Sequence, residues 1–452
     1  MTHILLACDT APAEHDSVDS VDSADTAVVE DLVLVPQITH GDTPVQRVRW
    51  STPEPTTGRV EYGVDGLDRV AEDDVVGTEH DVIVAGIAAG YGWQLRVVSE
   101  AGGTRWESDL VNIEAVSAPI AMPLPILAVP PAEGVEGFEL MPLPAKEGAY
   151  IAMLNRLGEA VWWSAPSPQF VYRARYDSVN HTVTWVAASQ STGEQTFITS
   201  TLDGEETRVA APISSHADFT LLPDGGFLVL ALEDRDVDGQ RVRGETLQEV
   251  SPDGTTRQIW NSWDQFSWSG GGHVVEGKWI EWPHANSISY DSDSRKVFVS
   301  LFYLDAVAQI DRDTGALDWL LGGEFSDWTV LGDGFAGQHA PEVHEAGRLL
   351  ALMNNGAPGT PVEAAIAMAY DLDPDTLIAT PRWQFDDAAS HLGVILGNVS
   401  WIGPDDAVVN WGSSGVLQRV NAAGEVRWEV DFGIGEFAQF SDHVASMAGA
   451  VR

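Results

Sequence analysis

The sequence predicts an all-β chain, a six-bladed β-propeller over residues 143–452 behind a smaller β-domain. Three observations predict it. A unit headed by histidine and closed near tryptophan recurs four times in the second half of the chain. Two fainter units precede these four. No helix-period segment of useful length interrupts them.

The four clear units open HADFTLLPDGG at His216, HANSISYDSDS at His284, HAPEVHEAGR at His339 and HLGVILGNVS at His391, and they end at Trp260, Trp319, Trp383 and Trp428. Each holds an apolar run, an Asp/Gly turn, a second run rich in Val, Leu or Ile, another turn and a closing strand. Their histidines are 68, 55 and 52 residues apart, the size of a four-stranded blade with a variable loop. Glu147–Trp163 and Asn180–Ala210 supply two further units. The segment from Phe437 to Met447 is expected to return to the first blade, because closing the ring hides strand edges that would otherwise pair with other chains.

Upstream, VQRVRW, GRVEYGV, EHDVIVAG, YGWQLRVVSE and TRWESDLV alternate apolar with polar residues over strand-length runs between turns. With Trp50, Tyr62 and Trp93 as core aromatics, residues 31–118 resemble a fibronectin type III domain, which implies a small β-sandwich. Residues 119–142 carry Pro123, Pro125, Pro130, Pro131 and Pro142, a density that disfavours helix and central strand and predicts a linker. Residues 1–30 are acidic and rich in Ser and Ala, the composition of a disordered tether. Within them, Leu5-Leu6-Ala7-Cys8 resembles the cleavage box of a bacterial lipoprotein, shortened at its start. That resemblance implies an exported protein, periplasmic or held on the cell envelope as a lipoprotein.

Sixty-eight acidic residues against 24 basic ones leave a formal charge of -44, a field that repels phosphate backbones and excludes nucleic acid as a partner. One cysteine excludes a disulfide framework, and no apolar run is long enough to span a bilayer, so membrane contact is expected only through an N-terminal lipid anchor. There is no phosphate loop, dinucleotide fingerprint, nucleophile elbow or CxxC pair. Oligomeric state has no signature in the sequence.

In a propeller the first strand of every blade lines the central channel, so His216, His284, His339 and His391, equivalent in their units, are expected to converge near the axis. Residues 216–430 resemble the bacterial arylsulfotransferases. The likeness rests on His284-Ala285-Asn286-Ser287-Ile288-x-Tyr290-Asp291, Ile310-Asp311-x-x-Thr314-Gly315-x-x-x-Trp319, Phe335-x-x-Gln338-His339-Ala340 and the Asn354-Asn355-Gly356 turn. It implies a cofactor-free transfer of a sulfuryl group from an aryl sulfate to a phenol, with His339 as the nucleophile. It also implies His284 and His216 as general acid and sulfate-oxygen donor, with Asn286 orienting one of them. The substrate would be a small aromatic molecule. Two arginines usual in the family are missing: Ser300-Leu301-Phe302 stands where the pattern reads Ser-Ser-Arg, and Ala365–Tyr370 lacks the second.

Losing an anion clamp while gaining His391, where the family has a small hydroxyl residue, leaves two other readings open. One is a metal-dependent oxidoreductase in which His216, His284, His339 and His391 hold a single transition metal (Fe, Cu, Ni or Zn), with Asn286 and Asp218 orienting the rings. The other is a non-catalytic binding propeller. Separately, Asp234, Asp236 and Asp238, followed by Gly239 and Glu245, fit the spacing of a calcium loop and predict a structural Ca site. Trp263, Trp268, Trp279 and Trp282 crowd the segment before His284, an aromatic surface for an aryl substrate or core packing.

Overall fold

Most propeller strands are four to eight residues long, and several turns between them take an Asp-Gly pair, as at Asp203-Gly204, Asp224-Gly225 and Asp253-Gly254. The computed structural model describes residues 32–146, 148–188, 195–268, 270–275, 277–356, 365–387, 395–404, 406–433 and 439–447, with only the backbone of 74 and 215–217. Cys8 and the acidic tether lie outside the described residues.

Six sheets, each with an antiparallel core of four strands, form the propeller blades, and blades three and five add short parallel strands at Trp279–Glu281 and Thr329–Val330. Blade two runs from Ala174–Asp177 through Thr182–Ala188 and Gln195–Thr201 to Glu206–Ala211. The innermost strands of blades three to six are Ser215–Leu221, Ala285–Asp291, His339–His344 and Asn398–Gly403. Blade one is assembled from both ends of this region. Phe138–Ala145, Gly148–Asn155 and Ala160–Trp163 supply three strands, and Asp442–Val444 becomes the innermost, with Asp442 opposite Leu140 and Val444 opposite Phe138. The proline-rich segment is itself built in, since Ile126–Val129 pairs with the outer strand of blade six.

The repeat also fixes the core. Leu228 and Leu230 of blade three pack with Val297, Val299 and Ile310 of blade four, and Ala351 and Met353 of blade five with Val409 and Trp411 of blade six. Of the tryptophans near blade ends, Trp319 is partly buried, and Trp163, Trp260, Trp383 and Trp428 are buried. Each contributes about 1.5–3 kcal/mol or more by leaving water, so the blades hold one another through apolar faces. At Gly315 an added Cβ would lie 2.0 Å from the Ile259 carbonyl, which is why this turn takes glycine.

The N-terminal strands form one curled six-stranded sheet, where two facing sheets were expected. Trp50, Tyr62 and Trp93 sit in its core as expected. It docks on the propeller through Val45, Ala85 and Ala88, which share a cluster with Trp162 and Val183, and through Arg47 bonded to Asp203 at 2.7 Å.

The expected calcium loop is corrected by the fold. Its residues form a long hairpin, Phe227–Val237 with Gln240–Val250, turning at Asp238-Gly239. Asp234 faces Arg243 across the ladder and gives its carboxylate to Arg241 and Arg243. Glu245 sits well down the strand opposite Leu232, fully buried and far from the turn. Spacing that wraps a cation in a loop spreads along a strand here, and Asp236 and Asp238 remain at the exposed tip.

Candidate functional site

Inner strands begin at one mouth of the channel, here termed upper, and His284 and His339 both stand at such beginnings. The inner strands of blades three, four and five each carry a register shift close to their start. It falls between Ser215 and Phe219, between Ala285 and Ser287, and between His339 and Glu342. Bulges re-aim side chains and gather near sites. His284 and Ala340 accordingly hold left-handed backbone, at φ 60° and 49°.

His339 is 4 % exposed, and its Nδ1 lies 2.8 Å from Asn355 Oδ1. The amide is oriented by its own nitrogen, which donates to the Leu396 carbonyl at 3.1 Å. Nδ1 of His339 therefore carries the hydrogen and donates it, leaving Nε2 as the bare lone pair. Burial is the largest influence on the ring. The Asn355 bond and the Gly337 carbonyl oppose it, His284 adds to it, and the pKa settles at about 4, so the ring is neutral at ordinary pH.

His284 has a different partner: its Nδ1 stands 3.2 Å from Glu281 Oε2. Phe302 lies between the two imidazoles, edge-on to both, with centroids 5.5 Å from His284 and 5.6 Å from His339. Tyr303 packs on His284 at 5.7 Å, its hydroxyl pushed up to about 12 by burial and by Glu281, and Phe440 from the closing segment comes within 6.4 Å of His339. Aromatic rings thus wall a mouth in which two imidazoles are presented.

Among the described residues no hydrogen bond joins Asn286 to a histidine ring. It donates to the Gln338 carbonyl at 2.8 Å, Ser287 Oγ accepts from the Ala340 N–H, and Gln338 reaches back to Ser300 and to the Ala306 carbonyl. This buried clasp joins blades four and five and fixes the peptide on both sides of His339. Asp218 lies deeper, accepting from the Ile288 N–H and pairing with Arg173 and Arg175, which also hold Asp442. Arg173 is buried over the Phe440 ring but is already engaged by Asp218, Glu342 and Asp442. It braces the axis and is not a replacement for the missing arginines.

The four-histidine metal centre and its histidine cluster are corrected. Among the described residues no group of three or more His, Cys, Asp or Glu side chains is arranged to hold a metal ion. His284 and His339 are instead keyed separately, one to a carboxylate and one to an amide. His391 lies outside the described residues, as does the side chain of His216. The tryptophans before His284 divide: Trp282 is buried, whereas Trp263 donates to the Glu233 carbonyl and Trp279 lies under Arg243 at 4.4 Å. Sequence reasoning missed Glu281, whose acidic side chain three residues before His284 was a visible signal. It also read Asn355 only as a turn residue.

Comparison with known proteins adds one specific match. Among solved structures the chain is similar to a nidogen/laminin complex (11 % identity, TM-score 0.42, covering 65 % of this chain and 96 % of that one). It is also similar to TolB from Acinetobacter baumannii (12 %, 0.41, 78 % and 80 %) and to a streptogramin B lyase (10 %, 0.38, 70 % and 85 %). No curated protein matches. Residues 190–433, more than half of the chain and including both His284 and His339, match the family model described as arylsulfotransferase (ASST). The chain belongs to the arylsulfotransferase family.

Proposed function

We propose that this protein moves a sulfuryl group from an aryl sulfate to a phenol through a sulfohistidine at His339. The observation that carries the reading is the Asn355–His339 bond, which leaves Nε2 unprotonated in a buried, neutral ring. The Nε2 lone pair attacks sulfur, the bond from sulfur to the aryl oxygen breaks, and the electron pair leaves on that oxygen, which takes a proton from His284. A phenol then enters, gives its proton to His284 and attacks the same sulfur, and the S–N bond breaks to restore His339. Phe302, Tyr303 and Phe440 suit a small aromatic substrate, since an aryl ring stacks or packs edge-on against such walls. The N-terminal sheet is read as a fibronectin type III-like module that docks at the lower ends of blades one and two.

The test is direct. The protein is incubated with 4-nitrophenyl sulfate, quenched, digested and mapped by mass spectrometry. One added sulfuryl group on the peptide carrying His339, absent in His339→Ala together with all turnover, supports the reading. Full turnover by His339→Ala, or labelling of another residue, overturns it.

A further inference from the structure

Two imidazoles at one mouth have partners of different chemistry. Asn355 offers His339 a neutral oxygen, whereas Glu281 offers His284 a carboxylate at 3.2 Å. An amide holds a ring in one tautomer without favouring a second proton. A carboxylate holds the tautomer and also balances the charge of a doubly protonated ring.

Glu281 is placed by backbone and not by chance side-chain contact. Trp279–Glu281 pairs in parallel with the blade-three hairpin, Glu281 opposite Arg243, and the next N–H, that of Trp282, donates to the Arg243 carbonyl at 3.0 Å. The turn that follows is tied down as well: the Phe302 and Tyr303 N–H groups donate to the His284 and Pro283 carbonyls at 3.0 and 3.1 Å. Beneath it lies the fully buried Glu245, facing the backbone N–H groups of Ala285 and His284. Carboxylate and imidazole are thus carried on one rigid corner of four residues, beside the nucleophile.

We infer that Glu281 is a positioning residue for His284: it accepts the Nδ1–H, turns Nε2 toward the leaving oxygen and offsets the ring's positive charge while the proton is held. The inference rests on the sulfuryl-transfer reading above. Nδ1 and the carboxylate are within reach but not aligned as a hydrogen bond in the free protein, and such bonds commonly tighten only when substrate closes the site. No atom is transferred to Glu281. The proton that His284 gives to the departing phenolate comes from Nε2, and the acceptor phenol returns it there.

The experiment compares Glu281→Gln and Glu281→Asp with the intact protein, using 4-nitrophenyl sulfate, whose leaving group needs no proton, and 4-methylphenyl sulfate, whose leaving group does. Turnover of the methyl substrate is expected to fall about 30-fold in Glu281→Gln and that of the nitro substrate no more than about threefold, because general acid catalysis typically contributes 10²–10⁴-fold. Glu281→Asp recovers part of the loss. Adding Glu281→Gln to His284→Ala costs less than about twofold further, since a residue that acts through another has nothing left to position. Equal losses with both substrates, or losses that add fully to those of His284→Ala, overturn the inference while leaving sulfuryl transfer intact. Absence of His339-dependent transfer in the unaltered protein overturns both.

Discussion

Replacing Asn355 by aspartate changes one amide for a carboxylate of the same shape, against the buried His339 Nδ1. A carboxylate within about 4 Å favours a charged imidazole and raises its pKa by about 1–3. From a starting value of about 4, the variant ring should titrate near about 6. At pH 5 the fraction of His339 with a free Nε2 lone pair then falls from about nine-tenths to about one-tenth, a tenfold loss of rate. At pH 8 both rings are neutral and the rates should agree within about threefold. The assay is a pH–rate profile of kcat/KM for sulfuryl transfer from 4-nitrophenyl sulfate to a phenol, with substrate and buffer ionisation held equal for the two proteins. An acid limb that does not move, or a loss of equal size at every pH, would refute the claim that Asn355 keeps the nucleophile neutral.

Glu245→Gln should stabilise the protein in alkali: burial raises this carboxyl from 4.5 to about 8, so the native state holds a proton that the unfolded chain has released. Native stability from this group is full below about pH 4.5 and is lost as pH rises toward 8, by on the order of 3 kcal/mol at pH 7, and thermal melts of the two proteins should diverge over that window. Asp442→Ala removes the acceptor shared by Arg173 and Arg175 on the closing strand, and should cost about 1–3 kcal/mol in urea unfolding, because a buried and a half-buried guanidinium lose one partner while keeping Asp218. Phe302→Arg places a guanidinium between the two imidazoles, where it can meet charge developing on the sulfuryl oxygens, and should raise kcat on aryl sulfates about tenfold or more; an unchanged or lower rate in a folded variant would sink that expectation.

The ring was legible in the sequence because each blade must bury the same two faces, so the pattern repeats with the His and Trp landmarks in step. What could not be read was how individual rings are used. Equivalence in the repeat places His284 and His339 at the same mouth, but the partner of each is set by turn geometry that differs between blades: three residues upstream for His284, across the next turn for His339. The bulges that aim them depend on unequal residue counts in paired strands, which composition does not reveal. Asp234, Asp236 and Asp238 misled for the opposite reason. Alternate acids suit a cation loop and a strand face equally, and Arg241 and Arg243, which settle the matter, stand at positions the motif leaves unspecified.

Joining the first blade to the last segment of the chain has a consequence for when the protein can begin to work. Phe440 and Asp442 belong to the stretch that completes blade one, and they also supply the wall beside His339 and the anchor of the axial arginines. The wall beside His339 is therefore complete only once the strand at 442–444 has paired with Phe138–Leu140, a contact spanning some three hundred residues of chain. Enclosure of the His339 ring is thereby tied to closure of the propeller.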